Sequence, residues 1–110
     1  MSILDNISLE EGVLKPEDYQ KQLAVRIRIN RTLDNTTSFI KDFMDDDLVR
    51  YEGSYVLYKR GVWCGQSSDL NKLREWGSYK LAKKDLAIYL VPKRGEEITQ
   101  DKLVNHLPID

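Results

Sequence analysis

Aliphatic side chains occupy every second position of the segment 23–30 (LAVRIRIN), and two arginines and an asparagine fill most of the gaps. Successive side chains of a strand point to opposite faces, so this alternation predicts a strand over about 22–30. One face of that strand is buried, and the other carries Arg26 and Arg28. A helix over 16–33 is the alternative, but on a helical wheel the aliphatic residues of the segment fall on both sides of the axis.

The periodicity of the following residues predicts six more elements. They are a helix over about 37–49, a hairpin of strands 54–59 and 62–66, a short helix from the cap Ser67-Ser68-Asp69 to Trp76, a strand over 86–91 and a last helix from Thr99 through Leu107. Gly77 is expected to stop the short helix. Pro92 ends the last strand and favours an edge position for it, because proline cannot donate to a strand ladder.

The element order is β-α-β-β-α-β followed by a helix, and it resembles the split βαβ pattern of ferredoxin-like domains. We therefore predict a single α+β domain over 1–110, with an N-terminal arm (1–20), a core (22–92) and a C-terminal helical segment (93–110). In this arrangement one face of the sheet is open unless a partner covers it. If residues 17–35 are helical instead, the fold becomes a helical hairpin packed on a three-stranded antiparallel sheet.

The composition is that of one globular domain: 110 residues, 41% hydrophobic and 32% charged. No apolar run approaches the roughly 18 residues that span a membrane, and Met1–Leu14 lacks the pattern of a secretory signal. One cysteine excludes an internal disulfide, and we expect a cytoplasmic location. The net charge of −1 conceals blocks, +4 over 21–33, −4 over 34–53 and +6 over 54–94, which indicate complementary surfaces within the fold or across a self-association interface.

The first candidate site is the open sheet face. Its predicted contact residues are Arg26, Arg28, Tyr58, Trp63 and Tyr89. Arginines and aromatic rings on an open sheet resemble the surface on which RNA-recognition motifs stack unpaired bases. A sequence pI of about 5.8 argues against a dedicated nucleic-acid binder, so we expect this face to contact another protein or a second copy of the chain.

The second candidate site is the acidic end of the helix over 37–49, formed by Asp45, Asp46 and Asp47. Consecutive helical side chains are about 100° apart, so these carboxylates diverge and are unsuited to holding one metal ion. Like charges four residues apart (Asp42 and Asp46) and acids near a helix C-terminus both cost stability. A sequence that accepts both costs is expected to use the acids against a basic partner; the alternative is a solvated acidic helix end.

The sequence does not place residues suited to catalysis next to one another. Cys64 lies inside a predicted strand and His106 lies in the C-terminal segment, and nothing in the sequence brings the two together. Phosphate-binding loops and metal-ligand spacings are missing from the sequence as well. We therefore expect a non-catalytic interaction or accessory protein, without a cofactor, that acts by protein–protein binding or self-association. The alternatives are a single-stranded nucleic-acid binder and a small-molecule-sensing domain.

Overall fold

The computed structural model describes residues 9–30, 33–81 and 84–107 of the chain, which form an α+β domain. In chain order the elements are β1 (Leu9–Glu10), β2 (Val13–Leu14), α1 (Pro16–Asn30), α2 (Asn35–Met44), a 3₁₀ turn (Val49–Tyr51), β3 (Tyr55–Lys59), β4 (Val62–Ser67), α3 (Leu70–Lys80), β5 (Leu86–Leu90) and a second 3₁₀ turn (Gln100–Leu103). Residues 1–8 of the predicted N-terminal arm lie outside the described part. None of the described helices combines the length and the apolar character needed to cross a membrane.

The five strands form one antiparallel sheet in the order β1-β2-β4-β3-β5. The β3–β4 hairpin is confirmed, with Lys59 opposite Val62 across its turn. On the other side of β3, Leu57 lies opposite Ile88 of β5. The edge position that Pro92 predicts for β5 is confirmed as well.

The predicted strand over 22–30 is wrong, because these residues form the C-terminal part of α1. The helix begins at Pro16 with Glu17 and Asp18 in its first turn, where a proline and acids are favoured. The element order therefore differs from the ferredoxin-like one. The alternative, a helical hairpin packed on a three-stranded antiparallel sheet, correctly makes residues 16–30 helical. It differs from the structure in that α1 and α2 pack on opposite faces of a sheet of five strands.

Both faces of the sheet are covered, so the predicted open face is wrong. The first face packs against α1 and α3 through a cluster of apolar side chains. That cluster contains Val13, Tyr19, Leu57, Val62, Cys64, Leu73, Leu81, Leu86, Ile88 and Leu107. The second face packs against α2 and the turns that follow it. Its cluster contains Phe39, Leu48, Val56, Tyr58, Trp63, Ala87, Tyr89 and Val91.

Two of the predicted helices have different ends in the structure. Helix α2 ends at Met44 rather than near residue 49, and three aspartates form the turns that follow. Helix α3 begins at its predicted cap, where the Asp69 carboxylate accepts hydrogen bonds from the N–H groups of Asn71 and Lys72. It continues past Gly77 to Lys80, so Gly77 does not end the helix. Gly77 is instead buried at the point where the helix crosses β3. A Cβ atom at Gly77 would lie 2.7 Å from Cδ2 of Leu57.

The C-terminal segment contains one 3₁₀ turn (Gln100–Leu103), and the predicted helix through Leu107 is wrong. After the turn the chain runs along β5. The Ile88 N–H donates to Oδ1 of Asn105 (2.9 Å), and the His106 N–H donates to the Ile88 carbonyl (2.8 Å). The amide nitrogen of Asn105 also donates to the Leu86 carbonyl (3.4 Å). A side chain thus takes the place of a sixth strand at this edge.

Candidate functional site

Four of the five residues predicted on the open sheet face are buried. Tyr58, Trp63 and Tyr89 point into the second face and are covered by α2 and its following turns. Arg26 is only 1% exposed, whereas Arg28 is exposed on the outer side of α1. The three aromatic residues therefore lie close together on one face of the sheet, as predicted, but that face is inside the molecule. An open platform for stacking bases is not formed by them.

Arg26 forms a buried ion pair with Asp42 of α2. Its Nη2 atom lies 3.0 Å from Oδ1 and 2.9 Å from Oδ2 of the carboxylate, and both side chains are almost fully buried. The Tyr58 hydroxyl donates a third hydrogen bond to the same carboxylate (2.6 Å). One carboxylate thus joins α1, α2 and β3.

The charge state of this cluster depends on opposing effects. Burial raises the pKa of the Asp42 carboxyl, and the Arg26 charge and the Tyr58 hydroxyl oppose that rise. Burial, with the neighbouring Asp42, raises the pKa of Tyr58 well above its ordinary value. The ion pair joins α1 to α2 in the interior, and Arg26 Nε is buried there without a hydrogen-bond partner.

Aromatic rings complete the second face. The Phe39 ring stacks on Tyr89 at 4.7 Å between centroids, and Tyr51 stacks on Trp63 at 5.5 Å. The hydroxyl groups of Tyr89 and Thr36 lie 2.8 Å apart at hydrogen-bond distance. These contacts explain the burial of the predicted aromatic residues, because α2 and the Val49–Tyr51 turn supply rings of matching shape.

The three aspartates after α2 lie at the surface, as predicted, but not within a helix. Asp45 caps the helix and pairs with Lys41 at 3.1 Å. Asp46 has a φ of +62°, in the left-handed region that non-glycine residues seldom occupy. Its N–H donates to the Phe43 carbonyl (3.2 Å), and the N–H of Asp47 donates to the Asp42 carbonyl (2.9 Å). The three aspartates therefore follow a tight turn rather than a helical surface.

These turns border a small groove, which we call the acidic groove. Its volume is about 180 Å³, and it is lined by Phe43, Met44, Asp46, Leu48, Val49, Glu52, Arg94, Gly95 and Glu96. Met44 is 71% exposed and Val49 is 40% exposed, so apolar surface is open to solvent here. Glu96 is paired with Lys102, which fixes the far wall of the groove.

Other parts of the surface have less chemical definition. A shallow polar depression of about 490 Å³ lies at the start of α2 and includes Asn35, Arg60 and Asp85. Burial raises the pKa of the Cys64 thiol, which lies in the first-face core, and the His106 ring packs edge-on against Tyr55. Within residues 9–30, 33–81 and 84–107, no three histidine, cysteine or acidic side chains cluster in a way that would hold a metal ion.

Asp42 is the residue of this region that the sequence analysis missed as an ion-pair partner. A signal was present, because Asp42 falls between Phe39 and Phe43 on the apolar side of α2. A carboxylate on an apolar helix face predicts a buried cationic partner. Arg26 likewise lies on the same side of α1 as the apolar residues Tyr19 and Leu23. That placement of a cation among apolar residues follows only if the segment is treated as a helix rather than as a strand.

Comparison with known proteins adds no relative, since neither a protein-family model, a curated protein nor a solved structure matches this chain.

Proposed function

We propose that this protein is a small, non-catalytic accessory or regulatory protein that acts by binding another protein, and that the acidic groove is its contact surface. The observation that carries the proposal is the exposure of Met44 and Val49 beside the carboxylates of Asp46 and Glu52. Contiguous exposed apolar surface with a polar rim is typical of protein interaction sites. A cytoplasmic location belongs to this proposal, supported by the single, buried cysteine.

The size of the groove favours a protein partner over a small molecule. Pockets for cofactors and drug-sized ligands measure roughly 300–1,000 Å³ and enclose most of the ligand. A volume of about 180 Å³ suits one aliphatic or aromatic side chain that a partner inserts as an anchor. Phe43 and Leu48 form the apolar base that would receive it.

The charge around the groove indicates the chemistry of that partner. Asp46 and Glu52 contribute carboxylates to the lining, together with the cation Arg94 and with Glu96, which is already paired with Lys102. Asp47 adds a further carboxylate beyond the groove, whereas Asp45 is paired with Lys41. A segment with an apolar anchor and flanking lysines or arginines is complementary, and such charges speed and orient docking.

A labelled peptide tests the proposal. The probe is a helical peptide with leucines on one face and lysines on the other, and the control peptide has glutamates in place of the lysines. We expect the basic peptide to bind in fluorescence anisotropy, with an affinity that falls as salt is added. The acidic peptide is expected not to bind.

Variants locate the binding site. Met44→Gln and Glu52→Gln are each expected to weaken the basic peptide about tenfold, because each removes an anchor or a charge from the groove. Tyr79→Ser and Glu75→Gln, which alter exposed residues of α3, are the matched controls and should leave affinity unchanged. Failure of the basic peptide to bind, or equal loss in the α3 variants, would contradict the proposal.

A further inference from the structure

We propose that the partner of the acidic groove is a second copy of this chain, which docks the outer face of its α1 there. This inference rests on the proposed function and specifies the occupant. We define the outer face of α1 as the residues Lys21, Ala24, Ile27 and Arg28.

The outer face of α1 is apolar and basic. Ile27 is 44% exposed, although isoleucine is usually buried. Arg28 and Lys21 lie beside it on the same side of the helix, whereas Ile29, 58% exposed, lies on the other flank. From Gln20 through Ile29 the helix carries no carboxylate. Neither cation has an ion-pair partner among the described residues. The outer face thus offers one exposed aliphatic side chain beside two cations, which matches the single anchor and the positive charge that the acidic groove requires.

The two surfaces cannot meet within one molecule. Arg26 is bound to Asp42, and Tyr19 and Leu23 pack against the first-face cluster, so the inner side of α1 is fixed to the domain. The outer face therefore points to solvent. It can occupy the groove of a neighbouring copy, which is the helix-in-groove mode of recognition.

Docking of two different surfaces gives a head-to-tail contact. Each bound pair leaves one outer face and one groove unoccupied, so the chain of contacts continues until it closes into a ring or grows as a filament. An isologous dimer, in which the same patch meets itself, would stop at two copies. This difference makes the inference testable.

The test uses one variant of each surface, and the molar mass of the full chain is measured by light scattering over a range of concentrations. The groove variant is Asp46→Asn with Glu52→Gln, and the helix variant is Lys21→Glu with Arg28→Glu. We expect the wild-type mass to rise with concentration and to fall with added salt. Each variant alone is expected to be monomeric, with an unchanged circular dichroism spectrum.

Mixing the two variants gives the decisive result. The groove variant keeps an intact outer face and the helix variant keeps an intact groove, so an equimolar mixture should form 1:1 pairs and nothing larger. The matched charge controls, Lys72→Glu and Glu75→Lys on α3, should associate as the wild type does.

A monomeric wild type at every concentration, or variants that still associate alone, would overturn the self-docking inference. If the wild type is monomeric while the basic leucine–lysine peptide still binds the groove, the proposed function stands and its partner is a different protein. If neither the peptide nor a second copy binds, both proposals are wrong.

Discussion

Asp42 concentrates the polar contacts of the interior into one side chain. Its carboxylate accepts from Arg26 and from Tyr58, which lie sixteen residues before and after it in the chain. Removal of one partner from a buried ion pair leaves an uncompensated charge, and such changes cost about 3–5 kcal/mol. Replacement of all partners by apolar groups avoids that cost. The main effect of the cluster is therefore to fix the position of α1 in the fold, and its contribution to the free energy of unfolding is smaller.

The variant Arg26→Met removes the cation of this buried pair. The single variant should lose about 3–5 kcal/mol of unfolding free energy, because Asp42 stays buried without its cation. The triple variant Arg26→Met, Asp42→Leu, Tyr58→Phe should be more stable than the single one. Urea unfolding followed by circular dichroism measures both. A triple variant as unstable as the sum of its single changes would contradict the prediction.

The strained turn at Asp46 gives a prediction of opposite sign. Asp46→Asn should raise the free energy of unfolding by about 0.5–1 kcal/mol, since asparagine tolerates positive φ and lacks a charge that opposes the helix dipole. Thermal unfolding of the variant measures the gain. Ser78→Asn, a change at a position of α3 with ordinary helical geometry, is the control and should give no gain. A lower midpoint for Asp46→Asn would show that the carboxylate has a stabilising contact.

At the scale of elements, the packing of α3 on β3 depends on the missing side chain of Gly77. Alanine in place of an exposed helical glycine stabilises a protein by about 1 kcal/mol. Here the added Cβ would lie 2.7 Å from Cδ2 of Leu57 in the first-face core. The helix can approach the sheet this closely only with glycine at the crossing.

We accordingly predict that Gly77→Ala destabilises the domain, by about 1–3 kcal/mol, because overpacking outweighs helix propensity. Shortening the contacting side chain in Gly77→Ala/Leu57→Val should recover part of the loss. The measurement is a double-mutant cycle from chemical unfolding, with Ser78→Ala as the control in the same helix. A Gly77→Ala variant as stable as the wild type would mean that α3 can move away from β3 at little cost.

At the scale of the whole molecule, the buried tyrosines link stability to alkaline pH. Burial raises the pKa of Tyr19 to about 12, and it also raises the pKa of Tyr58 and Tyr89. Unfolded tyrosine titrates near pH 10, so the unfolded chain loses these protons first. The stability that the neutral phenols contribute is fully present below about pH 10 and is lost as pH rises through the folded pKa values.

The expected result is a cooperative loss of circular dichroism above about pH 10, accompanied by delayed appearance of tyrosinate absorbance. Tyr19→Phe should move this transition to higher pH, because one ionisable group is removed from the unfolded state. Tyr79→Phe, which changes a strongly exposed ring, should leave the midpoint in place. If all tyrosines ionise together while the dichroism is still native, the linkage is wrong.

The sequence predicted the hairpin β3–β4, strand β5 and the start of α3 because local pattern, turn residues and capping agree there. It failed at α1, where alternation over 23–30 is typical of a strand. The structure reverses the assignment of faces: Ile27 is exposed and Arg26 is buried. The partner of Arg26 comes from another helix, and tertiary contacts of that kind override local preference.

For the candidate site, the sequence predicted the acidic residues but not the groove. Asp45, Asp46 and Asp47 are at the surface, as predicted, but the apolar groove beside them is built from segments distant in sequence. Its far wall is formed by Arg94, Gly95 and Glu96 after β5. A groove between two such segments depends on the path of the chain, which periodicity does not give. The binding role of these residues stays a prediction.

The amide of Asn105 along β5 has a further consequence for how copies of this chain meet. An uncovered edge strand is a template for amyloid-like growth, since its free N–H and C=O groups can recruit an identical strand. Asn105 and the backbone of His106 occupy those groups at Ile88, and the amide of Asn105 reaches Leu86. Sheet extension through the centre of β5 is therefore blocked by a residue that is not itself part of a strand. At this edge of the sheet, copies that come together are directed to contacts between side chains, which are reversible, rather than to polymerisation of their backbones.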